Sequence, residues 1–177
     1  MARKPDLARF IRDIPDFPKP GILFKDITPL LKDPAALQGA AEAMAAPWRG
    51  NGVDVVAGAE ARGFIFAPMI ANLLGAGFIP IRKPGKLPSE THAVRYQLEY
   101  GSDALEIHRD AIRPGASVLL VDDLLATGGT MSACCALVEQ LGGKVAGCSF
   151  LIELSFLNGR RSLAPRPVRS ILTYDKG

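Results

Sequence analysis

The most chemically informative stretch of the chain is Asp122-Asp123-Leu124-Leu125-Ala126-Thr127-Gly128-Gly129-Thr130, which follows the apolar run Val118-Leu119-Leu120-Val121. The apolar run reads as the end of a buried strand, Ser117 to Val121, and the residues beyond read as a helix from about Gly129 to Leu141. Between them, glycines let the backbone turn its N–H groups inward. A helix start adds unpaired donors and the positive end of its dipole, and Thr127 and Thr130 add hydroxyl donors. A strand–loop–helix junction of this kind is suited to one phosphate group. It is not a Walker loop, because no Gly-Lys-Ser/Thr follows, and no GxGxxG fingerprint is present. Two carboxylates beside a phosphate repel it unless something lies between. Vicinal ribose hydroxyls, which donate to carboxylates, or a Mg²⁺ ion, whose charge they balance, would both serve. The ligand implied is a sugar phosphate with free hydroxyls. One Asp at a strand end would be read as a cap for the loop; the whole string is not.

The elements that must position this junction follow from periodicity. Leu7, Phe10, Ile11 and Ile14 carry helical spacing and predict an amphipathic helix over Asp6 to Ile14. Pro15, Pro18 and Pro20 then enforce an extended connection. Asp33-Pro34 marks a helix start, with an N-cap side chain and a ring preset for the first turn, and the Ala-rich stretch carries that helix to Ala46. A buried strand over Val53 to Gly58 is followed by a helix from about Gly63 to Leu74 closed by Gly75. Phe78 to Arg82 is the next strand, and Lys83 to Thr91 has the Pro-, Gly-, Lys- and Ser-rich composition of a mobile loop. Val94 to Tyr100 and Leu105 to His108 read as hairpin partners, Val145 to Glu153 and Val168 to Tyr174 as the last two strands. Unbroken apolar strands alternating with helices predict a doubly wound α/β fold, with a mainly parallel sheet flanked by helices. Ligands bind such sheets outside the carboxyl ends of the strands. Glu60-Ala61-Arg62-Gly63, Arg82-Lys83-Pro84-Gly85 and the junction at Asp122 all fall there.

At 177 residues with 48% apolar and 22% charged residues, the chain is a folded protein, expected to be a single domain spanning 1–177. No apolar run approaches the ~20 residues that span a bilayer. No secretory h-region follows Met1, so the expected location is cytoplasmic. A net charge of +3 is too small for the basic stripe of a nucleic-acid binder. Cys134, Cys135 and Cys148 have neither zinc nor disulfide-framework spacing and are expected as small buried hydrophobes. His92 and His108 belong to no motif.

Val118 to Thr130 resembles the phosphoribosyl pyrophosphate (PRPP) signature of the type I phosphoribosyltransferases. Four further blocks resemble the adenine-specific branch of that family, in its order: Pro15 to Leu31, Gly58 to Phe64, Arg82 to Pro88, and Leu98-Glu99-Tyr100-Gly101. The resemblance covers the chain from about Asp13 to Ser155. It implies Mg²⁺-dependent transfer of phosphoribose from PRPP to adenine, giving AMP and pyrophosphate in purine salvage.

The resemblance also implies roles. Asp122 and Asp123 hold the ribose hydroxyls, and Ala126, Thr127, Gly128, Gly129 and Thr130 hold the 5′-phosphate. Arg62 and Arg82 receive pyrophosphate, Arg82 in the neighbouring subunit of a homodimer. Phe24 stacks on the purine, with Leu124 opposite and backbone groups near Leu23 and Lys25 reading its edge. Lys86, in a flexible catalytic loop and following strand over about 83–100, neutralises developing charge, and Glu99 is the general acid/base. A small N-terminal hood over about 1–33 covers the base. Mg²⁺ is held through substrate and water rather than by direct protein ligands. A cis peptide is expected between Glu60 and Ala61. An enzyme using another 6-aminopurine or hypoxanthine, and a PRPP-sensing regulator without catalysis, are the competing readings; retention of Lys86 and Glu99 favours an enzyme over the regulator.

Overall fold

Strand and helix alternate as the sequence pattern demands, around one parallel sheet. The computed structural model describes residues 6–97 and 102–176. After a 3₁₀ turn at Leu7–Phe10 come β1 (Arg12–Ile14), β2 (Phe24–Asp26), α1 (Thr28–Lys32) and α2 (Pro34–Ala45). The middle of the chain forms β3 (Val55–Ala59), α3 (Gly63–Leu74), β4 (Gly77–Ile81), β5 (Thr91–Gln97) and β6 (Ser102–His108). It ends with β7 (Ser117–Leu125), α4 (Gly129–Gln140), β8 (Lys144–Leu154) and β9 (Val168–Tyr174). The main sheet has five strands in the order β4-β3-β7-β8-β9, all parallel. Two antiparallel ribbons, β1–β2 and β5–β6, lie outside it.

The central strand shows why the apolar runs are unbroken. Val118 and Leu120 face a core shared with Leu105 and Ile107 of the β5–β6 ribbon and Met131 and Leu137 of α4. Leu119 and Val121 face the opposite core, with Met44 of α2 and Phe66 and Ile70 of α3. Successive side chains of a strand point to opposite faces, so a strand covered on both sides needs an apolar residue at every position. Helix α2 starts where Asp33 accepts from the Ala36 N–H at 2.8 Å, and α3 stops where Gly75 turns left-handed at φ 67°. At the amino end of the sheet, the buried Trp48 ring packs on Gly147, where any Cβ would fall 2.2 Å from the indole.

Two expectations are corrected. The helix over Asp6 to Ile14 is a single 3₁₀ turn, and Arg12–Ile14 is instead a strand paired with Phe24–Asp26. So short a segment does not stabilise a helix alone, and Pro15 disfavours helical geometry at Ile14. The strand expected to stop at Val121 runs on to Leu125, with Asp122, Leu124 and Leu125 opposite Phe150, Ile152 and Glu153. The acidic pair therefore sits inside a strand, held by ladder bonds rather than in a free loop.

The three cysteines are free and buried, with the Cys135 and Cys148 sulfurs 4.0 Å apart. Among the described residues, no helix is long and apolar enough to cross a membrane.

Candidate active site

At the carboxyl end of the sheet, the continuation of β7 carries Asp122 and Asp123 into a cavity of about 200 Å³. Its wall also includes Arg62, Leu124 and the backbone from Ala126 to Met131. The turn is made by Gly128, the N-cap of α4, at φ 84°, a left-handed conformation that side chains disfavour. The first N–H groups of α4 have no partner within the helix, and Gly129, Thr130 and Met131 line this cavity.

Asp123 is 4% exposed and lies 2.6 Å, Oδ2 to Nε, from Arg62. Asp122 Oδ1 accepts from the Asp123 N–H at 2.9 Å. Burial pushes the Asp122 carboxyl well above the usual carboxylate range, and the neighbouring Asp123 charge pushes it further. Burial also raises Asp123, against the opposing pull of Arg62. One half-exposed guanidinium thus faces two desolvated acids, an arrangement that gains when the acids accept ligand hydroxyls.

A second cavity, of about 490 Å³, opens beside the first. It is lined by Phe17, Phe24, Lys25, Ile27, Leu31 and Ile65, and it shares Arg62 and Asp123 with the first. The ring of Phe17 stands edge-on to Phe24, with centroids 5.1 Å apart, and the Arg62 guanidinium lies 5.6 Å from the Phe24 ring centre. The β1–β2 ribbon that presents Phe24 is tied by Arg12 to Asp26 at 2.6 Å and Lys25 to Asp13 at 2.7 Å. Asp26 in turn caps the Thr28 N–H at 2.9 Å.

The predicted residues do not all converge. Phe24, Lys25, Arg62 and Asp123 line the second cavity, while Leu124 lines the first. Leu23 lines neither, and the Lys25 ammonium is turned to Asp13 and the Tyr174 ring. Arg82 and Lys86 gather on Glu60: Arg82 Nε at 3.1 Å and Lys86 Nζ at 3.8 Å. Arg82 also donates to the Lys86 carbonyl at 3.2 Å, so within one chain the two cations are paired with each other's neighbourhood. The Glu60–Ala61 peptide is cis, as the resemblance implies. Glu99 lies outside the described residues. Among those described, no group of three or more His, Cys, Asp or Glu side chains is placed to hold a metal ion.

Among the contributors that escaped the sequence reading, three stand out. Phe17 and Ile65 line the second cavity; Ile65 was legible, since it follows Arg62 by three positions on the same helical face. The third is the segment behind the phosphate-type loop. Ser162 Oγ donates to the Thr127 carbonyl at 3.0 Å, and Arg160 grips Glu153 of β8 with two bonds of 2.7 Å. Nothing local in residues 158–163 announces a contact with a loop more than thirty positions away.

Comparison with known proteins agrees with this geometry. Residues 26–169 match the model of the phosphoribosyl transferase domain. The chain is 58% identical over 176 residues to the adenine phosphoribosyltransferase of Rhodopirellula baltica, covering 97% of this chain and 85% of that protein. Its structure superposes with a TM-score of 0.93 on crystalline adenine phosphoribosyltransferase from Thermoanaerobacter pseudethanolicus, at 52% identity and with 96% and 98% of the two chains covered. The Saccharomyces cerevisiae enzyme, solved with adenine and an imino-altritol bisphosphate, gives a TM-score of 0.90 at 40% identity, with 94% and 97% covered. A parallel α/β sheet, a glycine-walled acidic pocket at its carboxyl end and near-full-length likeness lead to one conclusion: this chain belongs to the adenine phosphoribosyltransferases of the type I phosphoribosyltransferase family.

Proposed function

We propose that the chain carries out its family's reaction, transferring phosphoribose from PRPP to adenine with release of AMP and pyrophosphate, and that its two adjoining cavities divide the work. The observation that carries this reading is the sharing of Arg62 and Asp123 between a polar, glycine-walled pocket and an aromatic one. A reaction that joins a purine to a sugar phosphate needs such neighbours.

In this reading Ala126 to Thr130 hold the 5′-phosphate with backbone N–H groups and the Thr127 and Thr130 hydroxyls. Asp122 and Asp123 accept from the ribose hydroxyls. Phe24 and Phe17 supply the aromatic wall for adenine. The purine nitrogen attacks C1′ as pyrophosphate leaves, so the protein's tasks are alignment, proton handling and charge stabilisation. Arg62, Arg82 and Lys86 answer the charge on the departing pyrophosphate, and Glu99 handles the purine proton. Release of Arg82 and Lys86 from Glu60 frees both for that anion, with Arg82 serving the neighbouring subunit of a homodimer. With no cluster of acidic side chains placed to hold a metal among the described residues, Mg²⁺ would be held through the substrate phosphates and water and would supply charge neutralisation there. Residues 83–90 between β4 and β5 act as a lid that excludes water from PRPP.

The test is incubation of labelled adenine with PRPP and Mg²⁺, followed by separation of AMP. AMP forms with adenine, while hypoxanthine and guanine give at most trace nucleotide. Nucleotide formed preferentially from hypoxanthine, or from no base, refutes the assignment.

A further inference from the structure

We infer that residues 158–163 form the rear wall of the phosphate loop, and that Ser162 and Gly159 are positioning residues that aim its N–H donors; the inference rests on the reading of Ala126 to Thr130 as the 5′-phosphate site. In a trans peptide the C=O and the following N–H point in opposite directions. The Thr127 carbonyl accepts from Ser162 Oγ at 3.0 Å, and Ser162 is not among the residues that line the cavity. The N–H of Gly128 belongs to the same plane and is therefore turned away from Ser162, and Gly128 itself lines the cavity. Holding one carbonyl from behind sets the direction of a donor in front.

Steric contact reinforces the same orientation. A Cβ at Gly128 would lie 2.5 Å from the Gly159 carbonyl oxygen, and a Cβ at Gly159 would lie 2.2 Å from the Ala126 carbonyl oxygen. Each segment thus leaves the other room for backbone alone, and the loop cannot settle backward without a collision. The wall itself is anchored to the sheet. Arg160 makes its two 2.7 Å bonds to Glu153, which is 4% exposed, and donates to the Val168 carbonyl at 3.0 Å. Leu163 closes the segment in the core at 0% exposure. The order of restraint runs from β8 and β9 through Arg160 to residues 158–163, and from there to Thr127 and Gly128.

A wall that only stabilised the fold would affect both substrates alike. A wall that aims phosphate donors acts on one of them. Ser162 is exposed, so Ser162→Ala keeps its melting temperature to within about 2 °C. It should raise the KM for PRPP and the Kd for AMP roughly 3- to 10-fold, the cost of one misaimed donor to a charged group. Adenine affinity stays within about twofold. Gly159→Ala, which pushes the loop through Ala126, should weaken PRPP and AMP more than Ser162→Ala does. Amide NMR of the wild type, titrated with AMP, supplies the control by following Gly128, Gly129 and Thr130. If those amides shift on binding yet both variants keep wild-type PRPP KM and AMP affinity, the inference is wrong and the phosphate-site reading stands. Equal weakening of adenine and AMP also overturns it. If the wild-type amides do not respond to AMP, the phosphate-site reading falls and the inference with it.

Discussion

Replacing Asp122 with Asn separates the stability of the site from its use. The substitution keeps an oxygen to accept from the Asp123 N–H, a bond of 2.9 Å, and removes one of two adjacent desolvated charges. Burial, with Asp123 beside it, holds the folded Asp122 pKa well above its ordinary value of 3.8. The folded state therefore binds this proton more tightly than the unfolded state. Its favourable contribution is present in acid and is lost as pH rises from the unfolded value through the folded one. Asn does not ionise, so the variant should match the wild type in acid and exceed it at pH 8. A gain of about 1 kcal/mol there appears as ~2–4 °C in Tm for a chain of this size. Binding moves oppositely. A ribose hydroxyl loses a charged acceptor, worth about 1.5–3 kcal/mol, so the KM for PRPP should rise roughly 10- to 150-fold. The assays are thermal melts at pH 4 and pH 8 and initial rates at saturating adenine. A lower Tm at pH 8, a gain of equal size at pH 4, or an unchanged PRPP KM rules this account of Asp122 out.

Arg160→Ala strands the buried Glu153 carboxylate and should cost about 2 kcal/mol at pH 7, toward the low end because the Arg160 side chain is 49% exposed. The Arg160 guanidinium holds Glu153 below the usual carboxylate range, so this contribution is lost as pH falls through the folded value, and the deficit in melts should shrink below about pH 4. A deficit that stays constant with pH assigns it to packing instead. Glu99→Gln should lower turnover roughly 10²- to 10⁴-fold when chemistry is rate-limiting; near-normal turnover under that condition removes Glu99 from proton transfer. Excess EDTA should stop AMP formation and added Mg²⁺ restore it, whereas turnover undiminished by chelation rules out the metal requirement.

The sheet was legible because its signal is local and repeated. The run from Val118 to Val121 declares a strand buried on both faces, and Asp33-Pro34 and Gly75 mark helix ends through caps that depend on one or two residues. The acidic pair and the glycine loop were legible for the same reason, since strand, turn and helix start follow one another in the chain. What failed was context. Leu7, Phe10, Ile11 and Ile14 have helical spacing, but pairing with Phe24–Asp26 draws Arg12–Ile14 into a strand. The end of β7 depends on Phe150 and Ile152 lying alongside to accept and donate ladder bonds, and no residue near Val121 reports that. Phe17 reaches the aromatic cavity only because the ribbon folds back on itself. Ser162 reaches Thr127 across 35 positions, a proximity set by the course of β8 and not by any spacing within the loop.

The packing of Trp48 on Gly147 has a practical consequence. It is the only tryptophan in the chain, its indole N–H is buried with no hydrogen-bond partner among the described residues, and it lies at the amino end of the sheet, opposite the carboxyl end that carries the two cavities. Its fluorescence belongs to an apolar setting and shifts when the sheet opens to water, yet it has no direct contact with either cavity. The chain therefore carries an intrinsic optical gauge of global unfolding, one whose native baseline stays level while nucleotides are titrated at the far end.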